Sequence, residues 1–230
     1  MDLAFEFSLA DAIATAAQQG RGEVLAETQR QVLDAYPAGQ YATFLTNHDQ
    51  DRIASLLVGD VDKAKLAASL LLTSSGVPFI YYGEEVGMRG RKPDERIRTP
   101  LSWTTDIPGR GFTDGEPWEP FDDNADEATV ATQMSEPDSL WSHYRDLIAL
   151  RAAHPALRTG AMTSIETGND AVYAFTRLAE NDSVTVVINL SGDEQAAYSV
   201  DGIDTGHVVF GPDWAPGAPI PPQTTIVMAN

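Results

Sequence analysis

Two hydrophobic periods follow one another along this chain. Apolar runs at residues 3–7, 41–45 and 77–82 are strand-like, and the third is apolar on both faces, as buried parallel strands are. After the first comes a loop or short helix through Ala17. Val24, Leu25, Thr28, Val32 and Tyr36 then recur at helical spacing, so 23–36 reads as an amphipathic helix, ended by Pro37 and Gly39. Residues 62–75 are rich in Ala and Leu nearly all round and are closed by Gly76, the pattern of a buried helix. Strand, helix, strand, helix, strand is the order of consecutive βα units in a parallel sheet.

A long stretch, 83–136, has many Gly, Pro, Asp and Trp residues and no period. Stretches of this kind are usually functional or irregularly folded. Ser135-Glu136-Pro137-Asp138 then reads as a helix start, with Asp138 three residues after a capping Ser. Leu140, Tyr144, Leu147, Ile148 and Arg151 carry that helix to Ala153, and His154-Pro155 ends it. Beyond Ala161 the period shortens. Runs at 172–177, 183–190, 195–200, 207–210 and 224–228, separated by Gly, Asn and Asp turns, make a small all-β module that could fold independently. The expected division is 1–158 and 159–230.

Composition narrows the functional classes. Of 230 residues 43% are hydrophobic, enough for a core. Fifteen Lys and Arg face 34 Asp and Glu, a formal charge of −19, a field that repels phosphate backbones and anionic membranes. Nucleic-acid and membrane partners are therefore not expected. A neutral polysaccharide would be indifferent to this charge. No Cys is present, so disulfides and thiolate metal sites are excluded. The compartment stays open between extracellular and cytoplasmic.

Candidate chemistry concentrates where the second strand ends. Phe44-Leu45-Thr46-Asn47-His48-Asp49-Gln50-Asp51-Arg52 passes abruptly from apolar to packed polar residues. A parallel barrel strand delivers its carboxyl end into an active site in this way. The plainer reading is that Asp49 or Asp51 caps the following helix, and Asp51 keeps that reading. A second motif is Gly76-Val77-Pro78-Phe79-Ile80-Tyr81-Tyr82-Gly83-Glu84-Glu85. Its aromatics are expected to pack, and its two adjacent acids to be solvated or bonded to backbone, because neighbours point in alternate directions. Arg96-Ile97-Arg98-Thr99-Pro100-Leu101-Ser102-Trp103 is a third motif. Trp103 and Trp118 could form a sugar-stacking face or the loop's own small core. Asp122, Asp123, Asp126 and Glu127 read as a solvated acidic loop, and no metal-ligand spacing appears.

The pattern Phe-x-x-Asn-His-Asp-x-x-Arg resembles the fourth motif of glycoside hydrolase family 13, the α-amylase family. The second and third motifs are similar to that family's eighth strand and to the Arg-x-Pro-Met-x-Trp segment after it. The resemblance implies a partial (β/α)8 TIM barrel, its sixth to eighth strands at 3–7, 41–45 and 77–82, followed by a β-sandwich domain. It implies that Asp49 stabilises the transition state and that His48, Asn47 and Arg52 form the substrate-binding set. His48 would hold sugar hydroxyls, while Asn47 and Arg52 keep the motif in place. The family's nucleophilic Asp and acid/base Glu lie on its fourth and fifth strands, and no Arg-x-Asp motif or corresponding Glu precedes Phe44.

The resemblance therefore implies a portion of a retaining α-glucan hydrolase, acting on starch or maltooligosaccharides, inactive alone. Its partners would be the glucan and the missing N-terminal half of the barrel. No cofactor is expected in this chain; calcium is possible only in the missing part. The alternatives are a non-catalytic glycan-binding or subunit-interaction remnant, or an α-1,6-glucosidase or transglycosylase of the same family.

Overall fold

The computed structural model describes residues 3–196 and 206–230. β1 (Ala4–Phe5), β2 (Tyr41–Thr43) and β3 (Val77–Pro78) form a parallel sheet in the order β1-β2-β3, with Ala4 opposite Tyr41 and Ala42 opposite Val77. The ladders are shorter than the apolar runs. Past Thr43 and Pro78 the backbone leaves the sheet for the loops that carry polar groups.

Between β1 and β2 stand two helices, α1 (Phe7–Gln19) and α2 (Glu23–Ala35). α1 has 13 residues, where a loop or short helix is expected from sequence. The carboxylate of Glu6 caps it by accepting from Ser8 N–H at 3.0 Å, and Gly20, left-handed at φ 72°, stops it. Its buried face is mostly alanine, which folds as helix readily but leaves little apolar contrast to detect. α2 starts at Gly22, which has no side chain to cap with. Asp170 supplies the cap from far along the chain, accepting from Gly22 N–H at 3.0 Å and Glu23 N–H at 2.6 Å.

After β2 come α3 (Ile53–Leu56) and α4 (Val61–Thr73), the latter capped by Asp60 and buried on nearly every side. Gly76 then turns the chain at φ 101°. A Cβ there would lie 2.6 Å from the Tyr41 ring, so only glycine fits. The long stretch after β3 holds two short helices, α5 (Asp94–Ile97) and α6 (Val130–Ser135). α7 (Leu140–Ala153) begins about a turn later than the 135–138 pattern predicts. Ser139 is its cap, accepting from Ser142 N–H at 3.0 Å, whereas Ser135 closes α6 with a bond to the Thr132 carbonyl. α8 (Pro155–Thr159) follows directly.

An antiparallel sheet completes the fold. Its strands are β4 (Ala161–Ile165), β5 (Val172–Ala179), β6 (Asp182–Asn189), β7 (His207–Phe210) and β8 (Thr224–Ala229), ordered β4-β5-β6-β8-β7. Of the strand expected at 195–200, Gln195 makes an isolated bridge to Ile220, and residues beyond 196 lie outside those described. The architecture is thus a partial barrel plus a β domain, as the sequence implied.

One core runs through both parts. Leu9 and Ile13 of α1, Leu66 and Leu70 of α4 and Leu147 of α7 pack in the same cluster as Phe175, Val186 and Val227 of the sheet. Two buried arginines close the end of α4, and the second of them, Arg177 of β5, also joins the two parts. Arg151 donates to the carbonyls of Leu72, Ser74 and Gly76, and Arg177 to those of Thr73 and Gly160. Helix C-termini present such unsatisfied carbonyls and a negative dipole end, which cations complement. Burial without a carboxylate partner pushes both guanidiniums down to about 10. No helix among the described residues is long and apolar enough to cross a membrane.

Candidate active site

Beyond β2 the chain runs through buried Phe44, Leu45 and Thr46 and surfaces at Asn47. The Asn47 side-chain oxygen accepts from Asp49 N–H at 2.8 Å, a local turn that lifts His48 and Asp49 into the open. Their side chains are 64% and 62% exposed, and His48 Nε2 stands 3.4 Å from Asp49 Oδ2. The other carboxylate oxygen, Oδ1, accepts from Arg98 Nη2 at 3.0 Å. Arg98 also donates from Nε to the His48 carbonyl at 2.9 Å and from Nη2 to Asp94 at 2.8 Å. Bonds from Lys92 and Arg98 hold the Asp94 carboxyl below the usual range.

Residues 89–98 lace this loop in place. Arg52 N–H donates to the Gly90 carbonyl, Gly90 N–H to Ser55 Oγ, and Arg91 Nη2 to the Ser55 carbonyl. Asp51 accepts from Lys92 N–H at 2.8 Å and pairs with Arg91 at 3.2 Å. That corrects the capping reading of Asp51. α3 starts at Arg52 and has no side-chain cap; the acid ties two loops together instead.

Arg52 lies under the loop, 1% exposed, its guanidinium 4.7 Å from the ring centres of both Tyr81 and Tyr82. Nη1 donates to the Tyr82 carbonyl at 2.7 Å, while Nε and Nη2 have no partner among the described residues. The tyrosine hydroxyls reach the carbonyls of Ile97 and Thr99 and anchor the third motif, so Tyr81 and Tyr82 are held in place as expected, whereas Phe79 of the same motif is exposed. Burial pushes Tyr81 up to about 12. Asn47, His48 and Asp49 therefore share one exposed loop, with Arg52 beneath them.

Glu84 departs from expectation. It is buried rather than solvated, because the turn Glu84–Val86 points it at α7, where Tyr144 donates to it at 3.1 Å. Desolvation pushes its carboxyl up to about 8. Glu85 does bond to backbone, accepting from Gly83 N–H, and burial raises it as well. In the 122–127 loop Asp123, Asp126 and Glu127 are exposed, as expected of a solvated acidic loop, while Asp122 and Asn124 accept from Arg89 N–H and Asp126 pairs with Arg110. Trp103 and Trp118, 49% and 60% exposed, do not form a core of their own. Among the described residues no three His, Asp or Glu side chains converge as a metal ion requires.

Sequence reading misses Arg98, although it heads the Arg-x-Pro segment. Its link to Asp49 spans 49 residues, beyond the reach of any local pattern.

Comparison with known proteins identifies the family. A family model described as the alpha amylase catalytic domain matches residues 1–160. Alpha-amylase 3 of Dictyoglomus thermophilum is 38% identical over 152 residues, which cover 65% of this chain and 30% of that protein. An oligo-1,6-glucosidase of Parageobacillus thermoglucosidasius is 30% identical over 194 residues, covering 66% and 34%. The crystal structure of the alpha-amylase from H. orenii superposes with a TM-score of 0.78 at 31% identity, over 100% of this chain and 49% of that one. The chain thus spans about a third of the length of these curated relatives and about half of the solved one. With the family model covering more than half its length, and with its parallel strand ending in Asn47-His48-Asp49, the chain belongs to the α-amylase family, glycoside hydrolase family 13.

Proposed function

We propose that this chain is the part of a retaining α-glucan hydrolase that contributes the transition-state-stabilising Asp49 and the sugar-binding His48. The observation that carries this reading is the exposed His48–Asp49 pair at the carboxyl end of a parallel strand, one carboxylate oxygen on Arg98 and the other facing the imidazole. Such a carboxylate can accept from sugar hydroxyls and favour an oxocarbenium-like transition state. It cannot by itself complete a retaining reaction, which uses a nucleophile and a proton donor ~5–5.5 Å apart. Asp94 shares Arg98 with Asp49, but its carboxyl is held low by Lys92 and Arg98, the opposite of what a proton donor needs. Asn47 supports the loop and Arg52 supports it from below. Residues 1–158 are assigned to the barrel and 159–230 to the appended domain.

The substrate is an α-1,4-glucan such as starch or a maltooligosaccharide, and the partner is the N-terminal half of a barrel. The chain alone is expected to release no reducing sugar from starch, and turnover by pure material would sink the half-enzyme reading. In the enzyme completed by that half-barrel, Asp49→Asn is expected to lower kcat by at least about a hundredfold while KM changes far less. An unchanged kcat would remove Asp49 from the mechanism. The likeness to an oligo-1,6-glucosidase supports a second reading in which only the linkage differs. Assaying isomaltose beside maltose separates the two.

A further inference from the structure

We propose that Arg98 is a positioning residue for Asp49, aiming its carboxylate through a two-pronged hold on the 48–49 segment. The proposal rests on the reading of Asp49 given above and deepens it. Asp49 is mostly exposed, so packing does little to fix its side-chain torsions. Its backbone is set by the Asn47 turn, and its carboxylate by Arg98 and His48. Arg98 holds the backbone with Nε on the His48 carbonyl and the side chain with Nη2 on Asp49 Oδ1. A rigid planar fork that grips a residue's side chain and its neighbour's carbonyl fixes the angle between them.

Arg98 is itself held. Asp94, four residues earlier, accepts from the same Nη2 and is tied in turn to Lys92. Ile97 beside it is fully buried, with its carbonyl on the Tyr81 hydroxyl. The guanidinium is therefore pinned by the third motif, and the Asp49 carboxylate is the exposed group that it steers. Oδ2 is left toward His48, so both groups present themselves to one side of the loop.

Lysine keeps the charge but has a single ammonium on a flexible stem, and cannot hold both prongs at fixed geometry. Arg98→Lys therefore separates aiming from simple charge. In the 230-residue chain, Arg98→Lys is expected to shift the Asp49 carboxyl carbon and the His48 ring signals in NMR spectra, with circular dichroism unchanged. In the enzyme completed by the half-barrel, the same variant is expected to lose at least about tenfold in kcat with KM within about threefold. Asp94→Asn, which loosens Arg98 without touching Asp49, is expected to give a smaller loss of the same kind. Wild-type kcat and unmoved NMR signals in Arg98→Lys would overturn the proposal. So would a KM that rises as much as kcat falls, because Arg98 would then bind substrate itself. If Asp49→Asn in the same enzyme leaves kcat untouched, the reading of function fails and takes this proposal with it. Loss with Asp49→Asn but none with Arg98→Lys refutes the proposal alone.

Discussion

Burial strips Glu84 of water and returns one hydrogen bond, from the Tyr144 hydroxyl, so the proton stays on up to about pH 8. The unfolded chain would release it near 4.5. Between those values the native state binds more protons than the unfolded state, so this group's contribution is complete below about 4.5 and declines as pH rises to about 8. His143, buried against Lys65 and Ser69, is pushed down to about 4 from 6.5 and has the opposite slope, but only below 6.5. Glu85 and Arg52 are the charged groups closest in effect to Glu84, the first opposing its ionisation and the second favouring it. The Glu84 slope is at most about 1.4 kcal/mol per pH unit. Urea unfolding at about pH 6.5 and 8 should therefore show wild type losing up to about 2 kcal/mol relative to Glu84→Gln. Parallel behaviour of the two proteins would mean that Glu84 is already ionised. Legibility at this scale follows sequence distance. Asn47, His48 and Asp49 are contiguous and legible directly, whereas Arg98 and the true roles of Asp51 and Glu84 depend on loops closing over tens of residues.

At the scale of elements, the apolar pattern locates α2, α7 and most β strands, which bury apolar residues on one face, and α4, which is apolar nearly all round. It underreads α1, whose buried face is largely alanine, and misplaces the start of α7, where Ser135 and Ser139 offer similar local signals. Caps delivered from elsewhere are invisible for a different reason: nothing near Gly22 marks that Asp170 will cap α2. Removing that cap by Asp170→Ala should cost about 1 kcal/mol, within the usual range for lost N-caps. The clamp on α4 should matter more. Arg177→Met leaves the buried carbonyls of Thr73 and Gly160 without this donor, at about 1–3 kcal/mol of desolvation each. Urea midpoints for the two variants, at constant m-value, test both the costs and their order. A neutral Arg177→Met would show that water replaces the guanidinium at the end of α4.

For the whole molecule the decisive feature is the shared core. The module after Ala161 reads as self-sufficient in sequence, since its strands alternate and its turns are well marked. In the structure one face of its sheet, bearing Phe175, Val186 and Val227, is covered by helices of the barrel part. Among the described residues of the sheet, a smaller cluster around Val172, Val187 and Ile226 lies apart from that shared core. Apolar area is worth roughly 25 cal/mol per Å², and a sheet that keeps only one small cluster has little to set against the entropy of its chain. Excised residues 160–230 are therefore expected to show no cooperative thermal transition and to bind a hydrophobic dye. The 230-residue chain should instead lose its α4, α7 and sheet signals together, because Arg177 and the core couple them. The barrel arc poses the complementary problem. Phe5, Phe7 and Phe79 are about half exposed, and with Phe44 they form an edge-to-face aromatic group at the carboxyl ends of β1 to β3. Exposed apolar surface beside unpaired strand edges favours self-association. Sedimentation of the intact chain should show mass rising with concentration, and Phe5→Asp with Phe79→Asp should suppress it. If the excised sheet melts cooperatively, the two parts fold separately and the shared core is packing without dependence.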